Sequence, residues 1–511
     1  MGLQKISYKD TGKFSQLIID YLNQNKVLSE YISHFPNEEN FSQQIKSKSA
    51  NNIDRLLLYN VIRAQNKNVV LSSISNENIK SLKDKNTFSV TTGHQLCLFT
   101  GPLYFIYKIA STINLVNRLK TKYPKYNFVP IFWLASEDHD FAEVNSINLF
   151  NKKVVWDANQ SGAVGRMNLE GIKSVIEQIQ NIIGDSSNAQ TLINVFKKVY
   201  NKNNNLSEAT RALINELFGT YGLLIIDGDD VLLKQKISNV IENDINHSRF
   251  YNIIKKSSEK ISVKYHAKAY VRPINFFKLS NGKRIRIKEK EDVETIVNNP
   301  QLYSPNVLLR PIYQEMILPN IAYVGGGSEI SYWFQLHDTF NDLSLPMPIL
   351  VMRNSVTVLD SKKLKKIHSL GFSVLDFFRN INQLNKEYVI KNSNQLSFGK
   401  ELISIEKTFQ SIKNKVEDSS LILSLNAIQK KSINAINDFE NKVIKNLKSK
   451  HETQLNQILK LKNELFPDNK LQERHDNFIP QYLKYGDNFI KKLIFHLDPL
   501  DTNFVILDLE S

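Results

Sequence analysis

Among 511 residues there is one cysteine, Cys97. A single thiol excludes an internal disulfide framework and any CxxC metal site, and it suits a reducing compartment. On the loop where it stands, Cys97 reads either as a reactive thiol or as a small apolar residue between Leu96 and Leu98. Long apolar runs are also missing, and a bilayer span would need about 18 such residues in a row. Met1 to Asn25 has no apolar secretory core, because Lys5, Lys9, Asp10 and Lys13 interrupt it. Ile6 stands where a myristoylation motif after Gly2 needs Ser or Thr. The expectation is a cytoplasmic protein with no membrane partner.

Dense basic runs are absent too. The formal net charge is +15, but the lysines are scattered through a chain rich in Asn and Ile. We read the charge as mainly compositional, giving weak support for an anionic small molecule and making nucleic acid an unexpected partner. A hydrophobic content of 41% with 10% aromatics excludes a disordered chain. The length predicts two or three domains.

What is present is concentrated. Thr91 to Lys108 reads TTGHQLCLFTGPLYFIYK. A β-like run from Thr87 feeds Gly93-His94-Gln95, then Thr100-Gly101-Pro102, with Tyr104 and Lys108 on the helix that follows. Strand, glycine loop and helix start can present free N–H groups to an anion. An ordinary βα turn explains the same residues. The next strand, Phe128 to Ala135, is almost continuously apolar, as in a parallel strand buried on both faces. It runs into Ser136-Glu137-Asp138-His139-Asp140. Ligands of open α/β sheets sit at strand carboxyl ends, where this cluster and Gly93 are both placed. The cluster could supply a general base, orient an amine or help hold Mg²⁺ at Asp138 and Asp140. Extended alternation puts Asp138 and Asp140 on one side, Glu137 and His139 on the other. His94 could donate to a phosphate or carboxylate. A zinc site shared by His94 and His139 lacks a convincing third ligand.

Leu223 to Asp227 predicts a further buried strand. Asn281-Gly282 between Phe276–Leu279 and Arg284–Ile287 predicts a hairpin. Lys278 to Lys283 also looks like the KMSKS loop of class I aminoacyl-tRNA synthetases, although the Asn-Gly turn accounts for it. Arg310 could pair a carboxylate, with Gln314 one turn on. Gly325-Gly326-Gly327-Ser328 forms a second candidate anion nest, followed by Glu329 and by Tyr332 and Trp333, which cannot both face one pocket. A last strand, Pro348 to Met352, ends at Arg353. The domain reading is a core over 1–360 with an N-terminal helical cap and insertions near 151–220 and 250–300. A helical coiled-coil hairpin follows over 361–466, with a seam through Leu402, Ile405, Phe409, Ile412 and Val416 and a bend near Asp418 to Ser424. The segment 467–511 is expected to pack back on the core.

Taken together, these segments resemble the BshC family, the cysteine ligases of bacillithiol biosynthesis. The likeness rests on Thr92–Gln95 with Leu98–Tyr104, on Pro130–Phe141 with Glu143–Asn145, on Leu308–Pro311 with Gln314, and on Tyr323–Gly326 with Glu329, Tyr332 and Trp333. It covers essentially the whole chain. It implies an α/β fold: a Rossmann-like parallel-sheet core resembling class I aminoacyl-tRNA synthetases, with inserted segments and a helical coiled coil. It implies addition of cysteine to glucosaminyl malate, giving bacillithiol.

Such an amide bond is uphill in water, so ATP is the expected activator and Mg²⁺ its expected companion. On this reading the Gly93–Pro102 loop holds phosphates, Asp138, His139 and Asp140 hold Mg²⁺ or take the amine proton, and Arg310 binds malate carboxylates. A degenerate synthetase-like module binding nucleotide or tRNA is the competing class, though Lys and Glu are mixed along the helical hairpin. A scaffold that only dimerises through that hairpin would leave the Gly, His and acidic clusters unexplained. A homodimer through the coiled coil is compatible with the enzyme.

Overall fold

One polar-looking run and one apolar run begin the central sheet. β1 (Thr87–His94) carries Thr87, Ser89, Thr91 and Thr92, all buried. Buried hydroxyls need partners: Thr91 Oγ1 donates to Asn320 Oδ1 at 2.8 Å and Thr92 Oγ1 to Val324 O at 2.7 Å. β2 (Asn127–Leu134) is buried at every position after Asn127. Its Pro130 lies one position ahead of the first pairing with β3, Ile131 to Leu224, where a missing N–H costs the ladder on that side nothing. β3 (Leu224–Asp227), β4 (Asn320–Gly325) and β5 (Ile349–Met352) complete the sheet. The structure is a computed structural model and describes residues 3–150, 152–393 and 398–509.

All neighbouring pairs of this sheet are parallel, in the order β5-β4-β1-β2-β3. The direction of winding therefore reverses between β1 and β4, the Rossmann-like switch point. The crossover from β1 to β2 is α1 (Tyr104–Lys122), buried along most of its length. α2 (Leu309–Ile317) leads into β4, and α3 (Gly327–Trp333) leaves it. Phe88, Val90, Leu115, Leu119, Phe128, Ile321, Val324, Ile349 and Val351 form one apolar cluster between sheet and helices.

Backbone contacts divide the chain into two units. One comprises Leu3–Thr357 with Glu473–Leu509, and the other contains Val358–Gln472. In the first, the tail strand Asn503–Leu507 pairs antiparallel with Leu3–Ser7, a strand the sequence reading does not anticipate. The insertion after β2 opens with a hairpin of Ser146–Leu149 and Lys152–Val155 and continues as helices Ile172–Ile183, Ser187–Asn201 and Leu206–Phe218. In the second unit, Gly399–Lys413 packs on Ser419–Lys450. Their connection lies earlier than the sequence suggests, because Asp418 accepts from the Ser420 and Leu421 amides and restarts the helix. The later helix is also split, at His451, before Glu452–Leu465. Among the described residues no helix is long and apolar enough to cross a membrane.

Phe88 is fully buried between Tyr126 and Phe128. Phe88→Ala should destabilise the first unit by about 3–5 kcal/mol, read as a lowered midpoint in denaturant. An unchanged midpoint would show that this face of the sheet is not the core.

Candidate active site

At the carboxyl ends of β1, β2 and β4 the chain surrounds a cavity of about 600 Å³. That size suits a small-molecule site. β1 supplies Gly93 and His94, with Gln95 just beyond; the β2 end supplies Trp133 to Ala135, Glu137 and Asp138. The β4 side supplies Gly326, Glu329 and Tyr332.

The two sides of the switch point are tied by one ion pair. Lys108 of α1 is buried, and its Nζ meets Glu329 Oε1 at 2.9 Å and Oε2 at 2.8 Å while also donating to Gly93 O. Glu329 accepts in turn from Gly326 N at 2.8 Å and Tyr323 Oη at 3.1 Å. Burial opposes its charge, but Lys108 and these hydrogen bonds hold its pKa at about 2. Of the anion nest expected at Gly325–Ser328, the Gly326 amide is taken by Glu329 and Gly325 does not line the cavity, while Gly326, Gly327 and Ser328 do. Lys108 likewise serves the frame and is not among the lining residues.

The glycine loop also behaves differently from a phosphate cradle. Four of its amides are spent internally: Cys97 N on Gln95 O, Thr100 N on Cys97 O, Gly101 N on Leu98 O and Leu103 N on Asp476 O. Neither Thr100 nor Gly101 lines the cavity. Gly101 is required for packing: its φ is +62°, and a Cβ there would lie 2.5 Å from Cys97 Cβ. Cys97 is buried, and burial pushes its thiol up to about 12, so it is no ready nucleophile. His94 does face the cavity. Its Nε2 lies 3.2 Å from Tyr104 Oη, itself a lining residue, and burial lowers its pKa to about 4, leaving a neutral imidazole at pH 7.

After Leu134 the chain turns at Ser136-Glu137, so strand alternation does not apply to the acidic cluster. Glu137 and Asp138 both line the cavity, while His139 and Asp140 do not. Glu137 Oε1 is 2.5 Å from the buried Lys234 Nζ. Asp138 Oδ2 accepts from Gln95 Nε2 at 2.7 Å, and Oδ1 from the amides of His139 at 2.7 Å and Asp140 at 3.4 Å. Burial raises its pKa, but these bonds win and keep it below the usual carboxylate range. His139 turns instead to Arg284, 3.2 Å from Nδ1 to Nη1. Among the described residues no three His, Cys, Asp or Glu side chains stand together as metal ligands.

Arg310 lines the cavity, and its Nη2 is buried without a hydrogen-bond partner. Gln314, expected beside it as a binding residue, is fully buried beneath and does not line the cavity. Of the aromatic pair, Tyr332 lines the cavity and Trp333 does not. Trp333 is fully buried, stacked on Tyr323 with ring centroids 4.6 Å apart. Adjacent helical positions point apart, which decides between the two.

Several lining residues lie outside the sequence reading of the site. Asn281 and Gly282 have φ of +51° and +67°, so the hairpin turn forms as expected. The hairpin nonetheless brings Phe277 and Arg284 to the cavity, the guanidinium 4.0 Å from the ring centroid. Arg353, just past β5, pairs with Glu473 at 2.8 Å, and the next residue, Arg474, also lines the cavity. The strand-end rule that singled out Gly93 could have found Arg353. No local signal marks Arg474, which arrives from the far end of the chain. With Arg272, five arginines face three carboxylates, those of Glu137, Asp138 and Glu329. The cavity suits an anion, with an acidic edge at Asp138.

A family model described as the N-terminal Rossmann-like domain of bacillithiol biosynthesis BshC matches residues 1–354, and one described as its C-terminal coiled-coil domain matches residues 356–509. The chain is 38% identical over 523 residues to the "Putative cysteine ligase BshC" of Flavobacterium johnsoniae, covering 98% of this chain and 99% of that protein. A relative of the same name from Christiangramia forsetii is 39% identical, with 98% of each chain covered. One from Bacillus anthracis is 25% identical, with 97% of each covered.

The Glu329 carboxyl, with an ordinary value near 4.5, is lowered to about 2. The stability it contributes is present above pH 4.5 and is lost as pH falls through about 2. Glu329→Gln should therefore flatten the stability profile between those limits. At neutral pH it should cost about 3–5 kcal/mol by stranding Lys108 in the core. Thermal melts of both proteins across pH 2–5 would check this, and parallel profiles would count against the pair.

Proposed function

Because this chain belongs to the BshC family of bacillithiol biosynthesis, we propose that it joins the carboxyl group of L-cysteine to the amine of glucosaminyl malate, giving bacillithiol. The observation that carries the reading is the cavity's uneven charge, with five arginines in its wall and the ionised Asp138 at one edge. An acceptor bearing two carboxylates and one amine has the complementary pattern. Arg310, with Nη2 free of internal bonds, takes a malate carboxylate. Asp138, held ionised by Gln95 and two amides, attracts and orients the amine.

The reaction forms one C–N bond and breaks one C–O bond of the activated carboxyl, and the ammonium gives up two protons while the amide nitrogen keeps one. As the nitrogen bonds to carbon it becomes more acidic, so the neutral His94 facing the same cavity is a suitable acceptor. ATP, when bound, would supply the leaving group that makes the cysteine carboxyl reactive. Arg353 Nε, buried without a partner, and Arg474 are the donors that fit its phosphates; the glycine loop does not fit them. Mg²⁺ at Asp138 and Asp140 does not fit this donor set, since Asp140 is outside the cavity and both Asp138 oxygens accept hydrogen bonds.

In source cells, deleting the gene should abolish bacillithiol and accumulate glucosaminyl malate in a mass-spectrometric profile of small thiols and their precursors. An unchanged thiol pool, in a strain lacking a second copy, would sink the ligase reading. In the purified protein, Asp138→Asn should fold normally and lower kcat/KM by about a hundredfold or more. Full ligation by that variant would remove the acidic edge from the mechanism.

A further inference from the structure

Arg310 does not stand in the cavity wall unsupported. Its Nη1 donates to Gln314 Oε1 at 2.9 Å, one turn along α2. Gln314 Nε2 donates to Glu315 Oε1 at 2.9 Å, and the same oxygen accepts from Asn320 Nδ2 at 2.7 Å. The other oxygen, Glu315 Oε2, meets Lys48 Nζ at 3.2 Å, on the N-terminal helix Asn40–Ser49. Gln314, Glu315 and Asn320 have no exposed surface and Lys48 has 1%. None of the four lines the cavity.

The chemistry of this chain sets its direction. A primary amide can present either its oxygen or its NH₂ group, but an ionised carboxylate only accepts. Burial raises the Glu315 pKa overall, against the pull of Lys48 and of the Asn320 and Gln314 amides, but its oxygens are placed to accept, with Oε2 facing the Lys48 ammonium and Oε1 facing two NH₂ groups. With both Glu315 oxygens accepting, Gln314 turns its NH₂ toward Glu315 and its oxygen toward Arg310. A flipped amide would set an NH₂ group against the guanidinium, donor against donor. With Nη1 engaged in this way, Nη2 is the arm of the Arg310 fork left without a partner.

We propose that Gln314 is a positioning residue for carboxylate recognition, its amide direction set by the Lys48–Glu315 ion pair and its oxygen fixing the Arg310 fork toward the substrate. This rests on the ligase reading and deepens it. It gives a buried residue that touches no ligand a definite part in substrate specificity. It also extends the determinants of the site to Lys48, in the helical region ahead of the sheet.

The test is a double-mutant cycle on the purified full chain, with calorimetric binding of glucosaminyl malate and steady-state kinetics. Gln314→Leu should weaken binding and raise KM about tenfold, with kcat within about twofold of wild type. In an Arg310→Ala background, Gln314→Leu should add nothing, because the residue acts only through the guanidinium. Lys48→Met, with its thermal melt checked, should weaken binding in the same direction. Wild-type affinity in Gln314→Leu, or a loss that adds in full to that of Arg310→Ala, would overturn the proposal while leaving the ligase reading intact. Failure of the wild-type chain to bind glucosaminyl malate would overturn both.

Discussion

The pairing of the buried Lys108 with the half-buried Glu329 is the interaction on which the cavity depends. It stands where the winding of the sheet reverses, so the two strands it joins arrive from connections that run opposite ways. At such a point the strand ends diverge and leave a crevice. The ammonium group also binds the Gly93 carbonyl, and the carboxylate also binds the Gly326 amide. Both lips of the crevice are therefore attached to one charge pair, and the buried Lys108 ammonium could not stand alone at tolerable cost.

The Gly93–Pro102 segment is closed in a different way, with the Cys97, Thr100, Gly101 and Leu103 amides bonded within the protein. At the second glycine run the Gly326 amide is taken by Glu329, while Gly327 and Ser328 also line the cavity. Glycine serves close approach: Gly101 to Cys97, and Gly93 to Trp133, whose carbonyl oxygen would lie 3.0 Å from a Cβ at that position. The cavity wall also carries side-chain donors, above all arginines that converge from α2, from the hairpin, from the end of β5 and from the returning tail. Arginine suits this task because its planar fork matches carboxylate and phosphate geometry and retains its charge when buried.

The helical unit obeys simpler rules. Its helices follow the spacing of apolar residues, and its breaks follow capping chemistry, as Asp418 shows by accepting from the amides that restart the chain. The site contrasts with this, since its buried polar groups form networks in which each member constrains the next. The run from Lys48 through Glu315 and Gln314 to Arg310 joins residues far apart in sequence, and no periodicity announces it.

The sequence by itself determined the parallel core, because runs such as Phe128–Leu134 have no polar face and can only be buried on both sides. It also determined the hairpin at Asn281-Gly282, where the turn needs positive φ, and the placing of Gly93, His94, Glu137 and Asp138 at strand ends. These are local properties of a few consecutive residues. Tertiary structure alone decided which neighbour faces the cavity: Tyr332 over Trp333, Asp138 over Asp140, Glu137 over His139. It alone brought Arg284, Arg353 and Arg474 to the same wall. The reason is that side-chain direction after a strand end depends on the turn the chain takes there. Convergence of distant residues depends on strand order, and neither is encoded in the spacing of residues along one segment.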